Sequence, residues 1–237
     1  MFRWAVVFVT LTGLSAPVQA DQLRKCKGAD KVKDRINACT SVIVQEGDSG
    51  PNVSKALYHR ALAHYRAKSY ISTIEDLSRL LKIKPDHVKA LDRRGVAYRK
   101  IGEADKAIAD HTSAISISPK YAKAYRNRGN AYFFIGETQK AIADYSRAIE
   151  LNPNYPNALN DRGAAYEMTR DFAKAVEDYS KLVQLMPENA DAYNNRGYAY
   201  HQLGNRARAI SDYRKALELN PALVQPRENL KALGIGS

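Results

Sequence analysis

Ten charged residues frame the chemistry open to this chain. Arg60, Arg94, Arg128, Arg162 and Arg196 recur every 34 residues, and Asp76, Asp110, Asp144, Asp178 and Asp212 each follow one of them by sixteen. Guanidinium and carboxylate groups repeated in step can pair with one another, or the guanidiniums can line a track for an anionic ligand. A charge matched in every unit is better explained by the unit's own geometry, so an Arg–Asp ladder between helices is expected, with the anion track as the competing reading. The histidines His59, His64, His87, His111 and His201 are scattered, and none shows a zinc-binding spacing. Neither a phosphate-cradling glycine loop nor a nucleophile elbow occurs. No catalytic residue, metal or cofactor is therefore expected. Cys26 and Cys39 are the only cysteines. In an oxidising compartment such an isolated pair is most simply a disulfide, with two free thiols as the alternative.

The elements that must position these groups follow from the same interval. From Ser54 to Leu223 the sequence repeats with a period of 34 and no insertion, in units 54–87, 88–121, 122–155, 156–189 and 190–223. A period of this length marks a stack of supersecondary units. In the third unit Ala124, Tyr125, Ala131, Tyr132 and Ile135 form one helical stripe, and Ala141, Ile142, Tyr145, Ala148, Ile149 and Leu151 form a second. Gly136 and Glu137 mark the turn between them, and Pro153 stops the second helix. Neither helix can bury its stripe alone, so each hairpin needs its neighbours. Glycine inside a helix at Gly95, Gly129, Gly163 and Gly197 costs about 1 kcal/mol relative to alanine, which points to a facing helix too close for a larger side chain.

The string Tyr125, Arg128, Gly129, Tyr132, Ala141, Tyr145 and Pro153 resembles the tetratricopeptide repeat, and it recurs around Gly95, Gly163 and Gly197. The first unit departs most, with Ala61, His64 and Thr73 in the glycine, tyrosine and alanine slots. The resemblance implies an all-α fold, an α-solenoid (right-handed superhelix) of five helical hairpins whose first helices line a concave groove. Such repeats more often carry an aliphatic residue in the slot of Arg60 and its equivalents, so burial there leaves guanidiniums that need acceptors.

Both ends read as caps. Residues 224–237 offer Pro226, Leu230, Leu233 and Gly234 for a final capping helix and tail. Residues 21–53 read as a degenerate helical cap and linker, in which Cys26 and Cys39 fall in the slots of Tyr132 and Tyr145 and a disulfide could replace the aromatic contact. Residues 1–20, with Arg3, an apolar run from Trp4 to Leu14 and Val18 and Ala20 before Asp21, read as a removable export signal; a retained membrane anchor is the alternative. The expected location is exported, periplasmic or secreted.

In the groove slots the resemblance places Lys55, His59, Tyr65, Arg66, Lys89, Arg93, Arg99, Lys100, Lys123, Arg126, Asn130 and Tyr198 as partner-binding residues, with Phe133, Phe134 and Met168 as candidate apolar anchors. Consecutive phenylalanines on a helix cannot both enter one core, so at least one is expected to face the groove; packing of both between hairpins is the plainer alternative. The net charge of +12 is uneven: residues 21–121 hold 20 basic and 12 acidic side chains, against 16 and 13 in 122–237. That asymmetry favours an anionic partner for the early groove. The function expected is a protein-interaction adaptor or scaffold of the bacterial envelope, binding a protein or peptide, acidic in character, with no nucleic acid. The alternative is an anionic polymer or a membrane surface touched peripherally by the basic half. The sequence sets no oligomeric state.

Overall fold

The computed structural model describes residues 16–235, so the apolar run of the expected export signal lies outside the described residues. Among the described residues there are thirteen helices and no strand. The chain divides after Ile101 into two compact units. The first contains α1 (Ala16–Gly28), α2 (Val32–Glu46), α3 (Val53–Arg66), α4 (Tyr70–Ile83) and α5 (Val88–Lys100). The second contains α6 (Ala104–Ile117), α7 (Ala122–Phe134), α8 (Thr138–Leu151), α9 (Pro156–Met168), α10 (Phe172–Leu185), α11 (Ala190–Gln202), α12 (Arg206–Leu219) and α13 (Gln225–Ala232). Within each unit a helix packs chiefly on the helices before and after it, the all-α hairpin stacking of a tetratricopeptide solenoid. None of the described helices is long and apolar enough to cross a membrane.

The hairpin geometry follows from side-chain size. In α8, Ala141, Asp144, Tyr145 and Ala148 are buried on one face, and α10 repeats the pattern with Ala175, Asp178, Tyr179 and Leu182. The tyrosine ring lies against the glycine of the preceding helix. A Cβ built on Gly129, Gly163 or Gly197 would come within 2.7, 2.7 or 2.9 Å of the ring of Tyr145, Tyr179 or Tyr213. The helix-propensity penalty of these glycines is thus offset by burial of a whole aromatic ring.

The turns between the first and second helices of a repeat share a left-handed residue. Gly102, Gly136 and Gly204 have φ of 84°, 82° and 74°, while Lys68 and Arg170 adopt 59° and 61° in the same slot. A side chain is disfavoured there by contact of Cβ with the backbone.

At the amino end Cys26 and Cys39 form a disulfide joining α1 to α2, and both are fully buried. The linker to α3 is held by Glu46, whose carboxylate accepts from the backbone N–H and the side-chain amide of Asn52 at 2.6 and 2.9 Å. At the carboxyl end Leu230 and Leu233 pack with Ala209 and Tyr213, and Arg206 donates to the Leu233 carbonyl.

Candidate partner-binding face

The repeated arginines point inward, towards neighbouring helices. Arg60, Arg128, Arg162 and Arg196 each donate through Nε and Nη2 to both carboxylate oxygens of Asp76, Asp144, Asp178 and Asp212, at 2.6–2.9 Å. The arginine side chains are 18–20% exposed and the aspartates 5–9%. A third donor, Nη1, reaches back to the preceding second helix: Arg60 to Thr40, Arg94 to Ser78, Arg128 to Thr112 and Arg162 to Ser146, at 3.0–3.1 Å. Tyrosines flank the guanidiniums, as where Arg196 lies 5.5 and 5.9 Å from the rings of Tyr193 and Tyr200. Asp110 is likewise buried. Groups this fully engaged and this little exposed hold helices together and leave little for a ligand.

The other cations of the first unit differ. On α3 and α5, Lys55, Arg66, Lys89 and Lys100 are exposed, whereas His59, Tyr65, Arg93 and Arg99 are half-buried. Among the described residues no carboxylate pairs with Lys55, Arg66, Lys89, Arg93, Arg99 or Lys100. Tyr65 meets Tyr70 edge-on at 5.4 Å; burial pushes its hydroxyl above the usual tyrosine range against the opposing charges of Arg99 and Arg93. Burial first, and then the charges of Lys27 and Arg35, push the His59 imidazole towards its neutral form.

In the second unit the candidate residues have mixed fates. Lys123 is half-buried. Arg126 is held at 2.6 Å by Asp161 of the next hairpin and stacks near Tyr155, so its charge is compensated internally. Asn130 accepts the Tyr145 hydroxyl at 2.8 Å. Phe133 packs against the cluster of Ala141, Tyr145 and Ala165, while Phe134 is 58% exposed at the last residue of α7. Met168, 69% exposed, ends α9 in the equivalent position. Tyr198 meets Phe172 edge-on at 6.4 Å, a partner that slot-by-slot reading of first helices passed over because Phe172 opens a second helix.

Two further features of this unit escape slot counting. Pro156, Asn157, Asn160, Leu182, Met186, Asn189, Asp191 and Asn195 enclose a polar depression of about 380 Å³. Burial pushes the Glu167 carboxyl up to about 7, against the opposing influence of the nearby Tyr179 hydroxyl. Among the described residues no three metal-ligating side chains converge. The available chemistry is that of binding: unpaired cations on one unit, exposed apolar side chains and amides on the other.

Comparison with known proteins agrees with this geometry. Sequence models of the tetratricopeptide repeat match residues 122–155 and 190–223, a TPR-repeat model matches 95–136 and 171–204, and a further tetratricopeptide model matches 145–177. Among solved structures, MamA is 31% identical, with 73% of this chain and 96% of that chain covered and a TM-score of 0.63. YrrB, described as a TPR protein with an unusual peptide-binding site, is 18% identical, with 83% and 99% covered and a TM-score of 0.66. A tetratricopeptide repeat protein from Parabacteroides merdae is 18% identical, with 92% and 87% covered and a TM-score of 0.75. The latter two speak to fold alone. No curated protein matches the chain.

Proposed function

Because the chain belongs to the tetratricopeptide-repeat family and has the fold of a protein-interaction scaffold, we propose that it holds an acidic peptide or protein segment on the face formed by the first helices α3 and α5. One observation carries this reading. The ladder arginines are matched by aspartates inside the fold, whereas six cations on α3 and α5 have no carboxylate partner among the described residues. Uncompensated charge on a rigid surface steers and selects an oppositely charged partner. The second unit by itself exposes Phe134, Met168 and Tyr198, apolar side chains of the kind that anchor protein partners.

The protein works, on this reading, in the bacterial envelope. An amino-terminal segment with the pattern of an export signal and a buried disulfide are both in keeping with an oxidising compartment. Mass spectrometry of the protein recovered from its native envelope tests this directly: a mature chain beginning at Asp21 with no free thiol is expected, and an intact Met1 with two thiols contradicts it.

Fluorescence anisotropy with a labelled peptide of alternating Glu and Ser tests the partner. Arg93→Ala with Arg99→Ala should weaken binding about tenfold or more, and Phe134→Ala should weaken capture of a full protein partner while leaving this short peptide unaffected. The concentration of positive charge in residues 21–121 favours one rival, an anionic polymer or membrane surface. That rival predicts affinity set by ligand charge alone, falling steeply with salt and indifferent to Phe134.

A further inference from the structure

Where one hairpin meets the next, three slots of the repeat come together, and what fills them changes along the chain. In the first hairpin Tyr58 of α3 lies against His87, the residue that caps α5, with ring centroids 5.4 Å apart. Two hairpins later Arg126 takes the place of Tyr58; its guanidinium lies 5.9 Å from the ring of Tyr155 and donates to Asp161 at 2.6 Å. Both junctions are closed by the chain's own side chains. One hairpin further on, the slots of Arg126, Tyr155 and Asp161 hold Asn160, Asn189 and Asn195. These amides are too short to close the gap, and the depression of about 380 Å³ opens there.

Its lining carries one carboxylate, Asp191, and neither an ammonium nor a guanidinium group. Asp191 and Asn157 are exposed and Asn160 is half-buried; among the described residues no hydrogen bond or ion pair engages these three side chains. Asn189 accepts the Ala192 N–H at 3.1 Å, and Asp191 stands in the first turn of α11, so the positive end of that helix is answered from within. Leu182 and Met186, near and at the end of α10, supply apolar area, the first buried and the second 41% exposed. Unengaged oxygens beside apolar area suit a cation carried on an aliphatic stem.

We propose that this depression receives an arginine side chain presented by a partner protein, in the role that Arg126 plays one junction earlier. The guanidinium is met by the Asp191 carboxylate and the amide oxygens of Asn157 and Asn160, while the stem lies along Leu182 and Met186. Arginine suits the lining better than lysine, because its planar fork of donors engages several acceptors at once. An anion is disfavoured by Asp191 and by the absence of any cation in the lining. The site belongs to the second unit alone and does not depend on an acidic partner for α3 and α5.

Proton–nitrogen NMR of the full mature chain, titrated with N-acetyl-arginine methylamide, tests the site. The side-chain amide signals of Asn157 and Asn160 should shift saturably, with a Kd of about 1–10 mM for a ligand this small. The citrulline analogue, alike in shape but uncharged, should bind about fivefold more weakly, and Asp191→Asn should weaken arginine binding about three- to fivefold. Asn160→Arg with Asn189→Tyr and Asn195→Asp copies the closed junction of Arg126, Tyr155 and Asp161. That triple variant should abolish the shift at Asn157 while its helical circular dichroism stays unchanged; should it misfold, the exposed Asp191→Asn change decides. Equal binding of citrulline and arginine, full-strength binding to Asp191→Asn, or no saturable shift at all would each overturn the proposal. The acidic-partner reading, measured separately with the Glu–Ser peptide, stands or falls apart from these outcomes.

Discussion

Arg60, Arg128 and Arg162 are each tied to two helices at once, through a two-point contact to one aspartate and a single hydroxyl on the hairpin before. Removing one partner of so enclosed a pair strands the other. Asp178→Ala should cost about 3 kcal/mol in urea unfolding, whereas the matched pair Arg162→Met with Asp178→Leu should recover most of that loss. Glu167 behaves differently, because burial lifts its carboxyl from an ordinary value of 4.5 to about 7. The folded state then holds this proton more tightly than the unfolded chain. Its contribution to stability is complete below about pH 4.5 and is lost as pH rises through about 7. Glu167→Gln should therefore raise the melting temperature above pH 7 and change it little below pH 4.5, read as the difference from the parent in thermal scans. The recurrence of arginine and aspartate was plain in the sequence, since a period of 34 displays equivalent residues side by side. The neutralisation of Arg126 by Asp161 was not, because the two occupy different slots of adjacent hairpins and only the packing angle brings them together.

Among the elements, the turns and the first hairpin carry the sharpest expectations. Lys68 and Arg170 occupy the left-handed slot that glycine fills at three other turns. Arg170→Gly should stabilise the protein by about 0.5–1 kcal/mol, the relief of Cβ strain being partly offset by the added freedom of the unfolded chain. A denaturation midpoint that falls on this substitution would count against the strain argument. The sequence marked this turn through Gly136, but a lysine or arginine in the same place gives no local signal of a positive φ. The disulfide closes a loop with a sequence separation of 13. Reduction, or Cys26→Ser with Cys39→Ser, should remove about 3 kcal/mol from the first hairpin and speed amide exchange in α1 and α2. Unchanged protection there would show that packing alone holds the cap. Alternation of small and aromatic residues made the helices readable, because the glycine and the ring facing it are complementary entries in one pattern, as at Gly163 and Tyr179.

At the scale of the molecule, a protein made of hairpins stabilised by their neighbours spreads a perturbation only as far as those contacts reach. Asp178→Ala should accelerate amide exchange in α9, α10 and α11 and leave α1–α4 unchanged; acceleration everywhere would mean a single cooperative fold. The architecture was legible in one dimension because it repeats in one dimension. The partner was not, since the proposed binding residues lie in slots that the repeat leaves free, and Lys55, Phe134 and Asn157 carry no shared constraint that a period can reveal. Charge supplied a molecule-wide clue, and the structure sharpened it by separating arginines already matched by aspartates from cations that face no carboxylate among the described residues.

The backward reach of the ladder gives the stack a polarity. Thr40 offers Arg60 the hydroxyl that Ser78, Thr112 and Ser146 offer later arginines, yet the same hairpin has Gln22 and Ala38 in place of its own arginine and aspartate. One rim of a hairpin is a guanidinium plug and the opposite rim an alcohol socket, so modules can be duplicated or exchanged in tandem only head to tail. Among the described residues the amino-terminal hairpin supplies a socket without a plug, so the ladder starts at Arg60.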